Sequence, residues 1–195
     1  MKPSLFQRLF HKRIRRLRVS VNMEGLPRAV QNTLICGKGL VKFGAHVLLG
    51  WKNSPSLRTT ETYIEARTRG SVIEIGEGCI FNNGAALVSV ENIVIGKRCL
   101  FGPNFRCYDS DFHGIAIKDR NNAKSICNAP VYIGDDCWIG DSVTVLKGVR
   151  LGAGCVVAAC SVVTKSFPEN SLIAGNPAKL VRTIEQEKCD NDENI

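Results

Sequence analysis

The feature that most constrains this chain is a six-residue repeat, which is clearest between residues 133 and 168. The leading residues of six consecutive blocks are all aliphatic: Ile133, Ile139, Val145, Leu151, Val157 and Val163. This spacing matches neither the roughly 3.6-residue period of a helix nor simple strand alternation. It predicts a triangular solenoid, in which three short strands make one coil of about 18 residues. Each leading aliphatic residue should stack on its equivalent in the next coil and fill the interior.

The same repeat continues upstream with interruptions. The leading residues form three further runs: Ile75, Phe81, Leu87 and Ile93; then Ile95, Phe101 and Cys107; and a weaker, earlier run of Leu34, Leu40 and Val47. The clearest break is residues 114–130, and residues 51–70 also fit no repeat. An insertion in a rigid solenoid is a natural place for a substrate loop. We therefore expect these two segments to form much of the substrate pocket.

Nine cysteines occur in the chain, with no CxxC pair or other metal-ligand spacing. Four of them occupy the fifth position of a block: Cys79, Cys99, Cys137 and Cys155. That position favours a small, weakly polar side chain in a tight corner. We interpret these four as reduced packing residues and expect no metal site.

The formal net charge of +8 is concentrated at the N-terminus, where eight Lys or Arg residues and one Glu precede residue 30. A local excess of this kind does not indicate nucleic-acid binding. Phe6, Phe10, Ile14 and Leu17 recur among the basic residues at helical spacing, which predicts a basic amphipathic helix. The helix either packs on the first coil as a solenoid cap or contacts an anionic membrane through residues 1–18.

Targeting signals are absent from the sequence as read. No apolar run approaches the roughly 20 residues that span a bilayer. The basic N-terminus lacks the apolar stretch and cleavage site of a secretory signal. We expect a cytoplasmic protein, at the inner face of the membrane if the N-terminal helix binds there.

Two stretches, PVYIGDDCWIGDSVTVLKGVRLGAGCVV and SVVTKSFPENSLIAGNPAKLV, point to a known family. Over roughly residues 34–182 the chain resembles the hexapeptide-repeat acyltransferases, and the nearest group looks like the galactoside, maltose and polysaccharide O-acetyltransferases. The resemblance implies a left-handed parallel β-helix and a homotrimer with active sites between subunits. It also implies acetyl-CoA along a groove near the C-terminal coils, and a saccharide or sugar-nucleotide acceptor for polysaccharide biosynthesis.

The expected fold class is thus all-β: a left-handed parallel β-helix with a short N-terminal helix and a C-terminal helical cap. Residues 1–30 form the basic amphipathic segment, and residues 31–168 form the β-helix with its inserted loop 114–130. Residues 169–195 form a C-terminal extension, with a short helix over residues 177–187 and an acidic tail.

His113 is the candidate general base. His11 lies in the basic tail and His46 in a weak early coil, whereas His113 ends the block CYDSDFHGI where the repeat breaks. Imidazole suits proton transfer from a hydroxyl near neutral pH. Asp109 or Asp111 is predicted to hold the imidazole in one tautomer, with Asp111 favoured because it is nearer in the chain. The galactoside enzymes place their histidine one position earlier and lack the DSD run, which leaves the acceptor and the orienting partner open.

The resemblance also assigns ligand-binding positions. Asn82, Asn83 and Trp138 match the acceptor side, and their structural alternatives are an asparagine ladder and a subunit seam. The positions carried over to the acetyl-CoA site are Trp138, Ala158, Cys160, Thr164, Lys165, Pro177, Lys179 and Arg182.

Two other functions remain open at this point. An N-acetyltransferase acting on an amino-sugar nucleotide would share the fold and acetyl-CoA, and a catalytically silent scaffold would keep the fold alone. Serine acetyltransferases usually have a larger helical N-terminal domain than this chain offers. A γ-type carbonic anhydrase needs three histidines on zinc, and the three here lack suitable mutual placement.

Overall fold

Short β-strands are the main secondary structure of residues 17–186, the part of the chain that the computed structural model describes. The strands are β1 Leu17–Glu24, β2 Arg28–Ala29, β3 Thr33–Phe43, β4 Leu48–Leu49, β5 Thr62–Ala66, β6 Val72–Ile75, β7 Ile80–Phe81, β8 Ala86–Ser89, β9 Asn92–Ile95, β10 Leu100–Phe101, β11 Arg106–Tyr108, β12 Val131–Ile133, β13 Trp138–Ile139, β14 Thr144–Val145, β15 Arg150–Leu151, β16 Val156–Val157, β17 Val162–Val163, β18 Ser171–Gly175 and β19 Ala178–Thr183. Two 3₁₀ turns, Ile117–Asp119 and Ala123–Ser125, lie in the segment between β11 and β12.

The strands stack in three parallel columns, here called faces 1, 2 and 3. Face 1 holds the first part of β3 followed by β5, β8, β11, β14 and β17, and face 2 holds the second part of β3 followed by β6, β9, β12 and β15. Face 3 holds β2, β4, β7, β10, β13, β16 and β18. Successive strands of each column pair in parallel, which confirms that the six-residue repeat builds coils of three strands.

The leading residues of the repeat fill the interior from residue 75 onward. Every predicted leading residue from Ile75 to Val163 is buried. On face 3, Phe81 pairs in register with Phe101, and their rings stack with centroids 4.2 Å apart. Phe105 packs beside them, 4.6 Å from the Phe101 ring. Strand alternation explains this arrangement, because each buried leading residue follows an outward-facing one.

The early, weaker run was predicted in the wrong register. Leu34 and Leu40 are only half-buried, whereas Ile35 and Val41 are fully buried. Because side chains alternate along a strand, a one-residue error exchanges the inner and outer faces. Both members of each pair are apolar, so the sequence alone did not distinguish them. Val47 is buried, as predicted.

The four cysteines at block position five form a buried column, which confirms their packing role. Each thiol lies within hydrogen-bond distance of a carbonyl oxygen in the next coil; the distance is 3.0 Å from Cys79 Sγ to Gly96 O and 3.1 Å from Cys155 Sγ to Pro168 O. A hydrogen bond with Cys99 and burial raise the pKa of Cys79. At Cys79 both effects favour the neutral thiol, which fills the corner as a small packing group.

The predicted C-terminal helical cap is wrong. Residues 178–183 form β19, which pairs antiparallel with β18. A terminal coil exposes unpaired backbone N–H and C=O groups along its last strand. A returning strand satisfies those groups directly, whereas a helix would leave them open to solvent. The predicted acidic tail beyond residue 186 lies outside the described residues.

A strand also covers the first coil. The predicted N-terminal helix lies outside the described residues, except that Leu17 and Arg18 begin β1. β1 pairs in parallel with β3, and Leu17, Val21 and Met23 pack against the core. Within residues 17–186, no helix has the length and apolar character needed to cross a bilayer.

Candidate active site

A cavity of about 720 Å³ opens on face 1 beside the segment that interrupts the repeat. It is lined by Glu61, Tyr63, Arg67, Gly84, Ala86, Val88, Arg106, Tyr108, Ser110, Asp111, Phe112 and Leu146. Its walls come from outward-facing positions of β5, β8 and β11, together with the turn that follows β11. Ala86 pairs with Tyr63 on one side and Arg106 on the other, so a small side chain between two large ones creates the depression. The predicted segment 51–70 contributes to this cavity, whereas no residue of 114–130 lines it.

Asp109 is fully buried and supports the fold of the turn. Its carboxylate accepts hydrogen bonds from Ser89 Oγ at 2.6 Å, Val90 N at 2.8 Å and Glu91 N at 2.9 Å. These donors belong to the corresponding turn of the preceding coil. Asp109 therefore ties the start of the interrupting segment to the solenoid.

Asp111 points to a different partner. Its Oδ1 lies 3.2 Å from Lys147 Nζ, and both side chains are about one-third exposed. Within residues 17–186, neither Asp109 nor Asp111 forms a hydrogen bond or ion pair with His113. The observed contacts of both acids thus differ from the orienting role that the sequence predicted for them.

Phe112 fixes the backbone immediately before the candidate base. Its φ is 60°, a left-handed conformation that is costly for a bulky residue and persists only where the surroundings hold it. Arg67 lies over the Phe112 ring at 4.7 Å, and Tyr108 meets it edge-on at 5.9 Å. Phe112 N also donates to Ser110 Oγ at 3.0 Å. These contacts hold the peptide that precedes His113.

Arg67 is itself held by a carboxylate of β5. Its guanidinium donates to both oxygens of Glu65, at 3.1 Å and 2.8 Å. The hydrogen bond from Arg67 lowers the pKa of Glu65, and burial raises the pKa of Tyr63, whose hydroxyl donates to Glu65 at 3.0 Å. A bidentate arginine–carboxylate pair of this kind has a well-defined geometry.

His113 is exposed, and its Nδ1 lies 3.2 Å from the backbone oxygen of Arg120. A carbonyl oxygen only accepts hydrogen bonds, so this contact favours the tautomer with the proton on Nδ1. Nε2 then carries the free lone pair that a general base needs. The carbonyl of Arg120 is therefore the observed partner of the imidazole, and it lies within the inserted loop.

Asn82 and Asn83 differ in their surroundings. Asn82 is half-buried, and its Oδ1 accepts from Asn83 N at 2.7 Å. Asn83 is fully buried; its Oδ1 accepts from Trp51 N at 3.0 Å, and its Nδ2 lies 2.8 Å from Pro55 O. The Asn83 amide thus anchors the loop after β4. Acceptor binding by either asparagine stays a prediction, and the contacts of Asn83 favour the structural alternative.

The positions assigned to acetyl-CoA lie in the last coils. Ala158 is half-buried and its N–H donates to Ile173 O at 2.8 Å. The other predicted contacts are all exposed: Cys160, Thr164, Lys165, Pro177, Lys179 and Arg182. Trp138, on the outer side of β13, is 60% exposed. The solenoid thus gathers these positions at its C-terminal end and leaves their side chains accessible.

Sequence reasoning missed the residues that hold the loop. Tyr63 and Glu65 lie on the outer side of β5, and Arg67 continues the alternation just after the strand ends. This spacing of two was a usable signal. The Arg120 carbonyl could not have been found, because every residue carries one. Among residues 17–186, no group of three or more His, Cys, Asp or Glu side chains is placed to hold a metal ion.

The repeat matches the sequence model of a known family. Residues 130–165 match the family model for the bacterial transferase hexapeptide (six repeats). The repeat is that of the hexapeptide transferases. The resemblance of the chain to the hexapeptide-repeat acyltransferases is thereby confirmed.

Individual relatives show the extent of the sequence similarity. A galactoside O-acetyltransferase of Lactococcus lactis is 35% identical over 115 residues, which is 59% of this chain and 55% of that protein. Serine acetyltransferase 2 of Arabidopsis thaliana is 35% identical over 113 residues, 58% of this chain and 31% of that protein. This chain spans less than two thirds of the length of the curated relatives it matches.

The fold is similar to that of a solved hexapeptide-repeat acetyltransferase from Vibrio cholerae. One crystal structure aligns with a TM-score of 0.55 and 34% identity, over 58% of this chain and 64% of that chain. A second, complexed with acetyl coenzyme A, aligns with a TM-score of 0.56 and 23% identity, over 94% and 80% of the two chains. The wider alignment carries the fold likeness across most of the described residues.

The contacts of Asp109 lead to a stability prediction. Asp109→Asn places an amide NH₂ against backbone and hydroxyl donors, so we expect a loss of about 2 kcal/mol in the free energy of unfolding. Asp111→Asn is the matched control, and its partly exposed ion pair with Lys147 should contribute less than about 1 kcal/mol. Urea unfolding at one fixed protein concentration measures both. Equal losses of unfolding free energy in the two variants would contradict the role of Asp109 in holding the turn.

Proposed function

We propose that this protein is an acetyl-CoA-dependent O-acetyltransferase that acts on a saccharide hydroxyl, with His113 as its general base, on a left-handed parallel β-helix. The observation that carries the proposal is the Nδ1 contact of His113 with the Arg120 carbonyl, which leaves Nε2 without a hydrogen-bond partner among the described residues. His113 directly follows Phe112, which lines the face 1 cavity. The likeness to a galactoside O-acetyltransferase and to an acetyltransferase solved with acetyl coenzyme A supports the acyl group and the acceptor class. The predicted boundaries 1–30, 31–168 and 169–195 remain part of this proposal.

The proposed reaction is direct transfer. His113 Nε2 takes the proton from the acceptor hydroxyl as its oxygen attacks the thioester carbonyl of acetyl-CoA. A C–O bond forms, the tetrahedral oxyanion collapses, and the C–S bond breaks. The imidazolium then returns the proton to the departing thiolate, so that free CoA and the acetyl ester are released. The Arg120 carbonyl holds the ring through Nδ1 and stabilises the cation while it exists.

Removal of the base should separate chemistry from binding. His113→Ala should lower turnover by roughly 10²- to 10⁴-fold, because general-base catalysis contributes about that much. Its acetyl-CoA dissociation constant should change little. His46→Ala is the matched control, since His46 is also exposed and lies in an early coil. Thiol release with a saccharide panel measures turnover, and near-full turnover of His113→Ala would exclude His113 as the base.

The last coils are the proposed acetyl-CoA site. Lys165 is exposed, and its Nζ lies 5.6 Å from the Phe167 ring centroid. It forms no salt bridge with any residue of 17–186. An ammonium group here suits a CoA phosphate, with Lys179 and Arg182 as further contacts.

Charge reversal tests this site. Lys165→Glu should raise the acetyl-CoA dissociation constant roughly tenfold, because it replaces an attractive charge with a repulsive one. Lys38→Glu, at an exposed lysine of the first coil, should leave the constant near the wild-type value. Calorimetric titration with acetyl-CoA measures both, and an unchanged constant for Lys165→Glu would remove Lys165 from the site.

An apolar row on face 3 supports a homotrimer with active sites between subunits. The outward residues of successive strands pair in register: Leu48, Ile80, Leu100, Trp138, Val156 and Leu172. Leu100 is 47% exposed and Trp138 60%. A continuous apolar row on a flat sheet is suited to contact with another copy of the chain.

A charge within that row should disrupt association. Leu100→Glu should shift the sedimentation mass from the trimer towards the 21.4 kDa chain, because a carboxylate would be buried without a partner. Leu26→Glu is the control, since Leu26 is 75% exposed and lies outside the row. A wild-type protein that sediments as a monomer would contradict the trimer.

Transfer to the nitrogen of an amino-sugar nucleotide is the alternative reaction, and mass spectrometry of the acetylated product distinguishes an ester from an amide. A scaffold without activity would release no thiol with any acceptor. Membrane contact through residues 1–18 falls almost wholly outside the described residues, and the cytoplasmic location remains a prediction.

A further inference from the structure

The charged groups around the face 1 cavity are paired, with one exception. Glu61 binds Arg18, Asp111 binds Lys147, and Arg67 binds Glu65. Each of these charges is therefore neutralised by a protein partner. Arg106 lines the same cavity, and within residues 17–186 no carboxylate forms a salt bridge with it.

The Arg106 side chain is held in place by carbonyl oxygens. It is half-buried on the outer side of β11, and its Nη1 donates to Gly84 O and, at 3.3 Å, to Phe105 O. Nε and Nη2 make no hydrogen bond with the described residues. A guanidinium that is anchored on one edge and free on the other is preorganised for an anion, because little side-chain entropy remains to be lost.

The space around the free edge suits a sugar ring. The strand neighbours of Arg106 are Ala86 and Thr144, both small. Tyr108 and Phe112 supply aromatic surface at the same cavity, and Phe112 directly precedes His113. Amphipathic aromatic side chains pack on the apolar faces of ring ligands while polar groups fix their orientation.

We propose that the acceptor is an acidic saccharide, whose carboxylate or phosphate group binds the free edge of Arg106 in the face 1 cavity. This proposal rests on the proposed function for the identity of the reaction, but anion binding is independent of acetyl transfer. Arg106 is a specificity-determining residue in this scheme. The anion pairs with the charge of the cavity that has no carboxylate partner among residues 17–186, and it holds the sugar next to the loop that presents His113.

Binding without acetyl-CoA tests the proposal directly. The first pair of probes is trigalacturonic acid and its methyl ester, and the second is galactose 1-phosphate and methyl galactoside. The wild-type protein should bind the charged member of at least one pair about tenfold more tightly or better, as expected for a charge-assisted hydrogen bond. The pair that shows the preference identifies the anion as a carboxylate or a phosphate.

Two variants assign the preference to Arg106. Arg106→Gln should bind the charged and neutral members equally, whereas Arg106→Lys should retain part of the preference. Arg98→Gln is the control, because Arg98 is already paired with Asp136 on another part of the surface. Thermal unfolding checks that the Arg106 variants stay folded despite losing the contact with Gly84, and Arg106→Lys remains informative if Arg106→Gln does not.

Each outcome decides one question. Equal binding of charged and neutral probes by the wild type, or no binding of either, overturns the acidic acceptor. An unchanged preference in Arg106→Gln overturns the role of Arg106. If charged probes bind but acetyl-CoA yields no acetylated product with them or any other acceptor, the anion site stands and the proposed function fails. If a neutral saccharide is acetylated and no charge preference exists, the proposed function stands and this inference fails.

Discussion

Hydrogen bonds between successive coils hold each residue directly above its equivalent, and the rest of the structure depends on this register. On face 3, the amides of Leu48, Ile80, Leu100 and Trp138 each donate to a cysteine carbonyl of the next coil, at 2.9 Å in every case. Like residues therefore stack on like, which fills the interior with one aliphatic or aromatic column for each face. The corners between faces must also carry small residues. A Cβ on Gly134 would lie 2.6 Å from Ala153 N, so the coils could not approach to hydrogen-bonding distance with a larger residue there.

This register makes the interrupting segment between β11 and β12 informative, because a regular solenoid has no structural need for it. The segment is tied to the frame at its start by Asp109 and at Asp111 by Lys147. Between these ties and the inserted loop, Phe112 adopts its left-handed backbone under the Arg67 guanidinium. The solenoid is thus a rigid frame. Side chains of neighbouring coils hold the backbone that leads to His113, the proposed base. Catalytic groups on loops need such support if their geometry is to be maintained.

The sequence predicted the interior positions that the six-residue repeat determines. It did not predict features that depend on individual tertiary contacts. Ile133 and its equivalents could be placed inside because their period is unambiguous. The Leu34–Ile35 pair could not, since both members are aliphatic and a single step separates the two faces. The strand β19 was mistaken for a helix because the chain leaves the repeat at Pro168, and pairing with the β18 edge is a tertiary effect. At the site, His113 stood out by its place in the chain, but the Arg120 carbonyl has no signature in a sequence.

The cavity and the proposed acetyl-CoA site lie on different coils, and this separation bears on how the acceptor is selected. The cavity walls come chiefly from β5, β8 and β11, before the insertion, whereas the proposed acetyl-CoA contacts come from the coils after it. Outward side chains on face 1 contribute little to the interior, so residues such as Ala86 and Arg106 can differ between proteins without altering the coil. A charge there that only stabilised the fold would be expected to have a carboxylate partner, as Arg67 has in Glu65. The absence of one at Arg106, among the described residues, is better explained by a partner that arrives with the substrate.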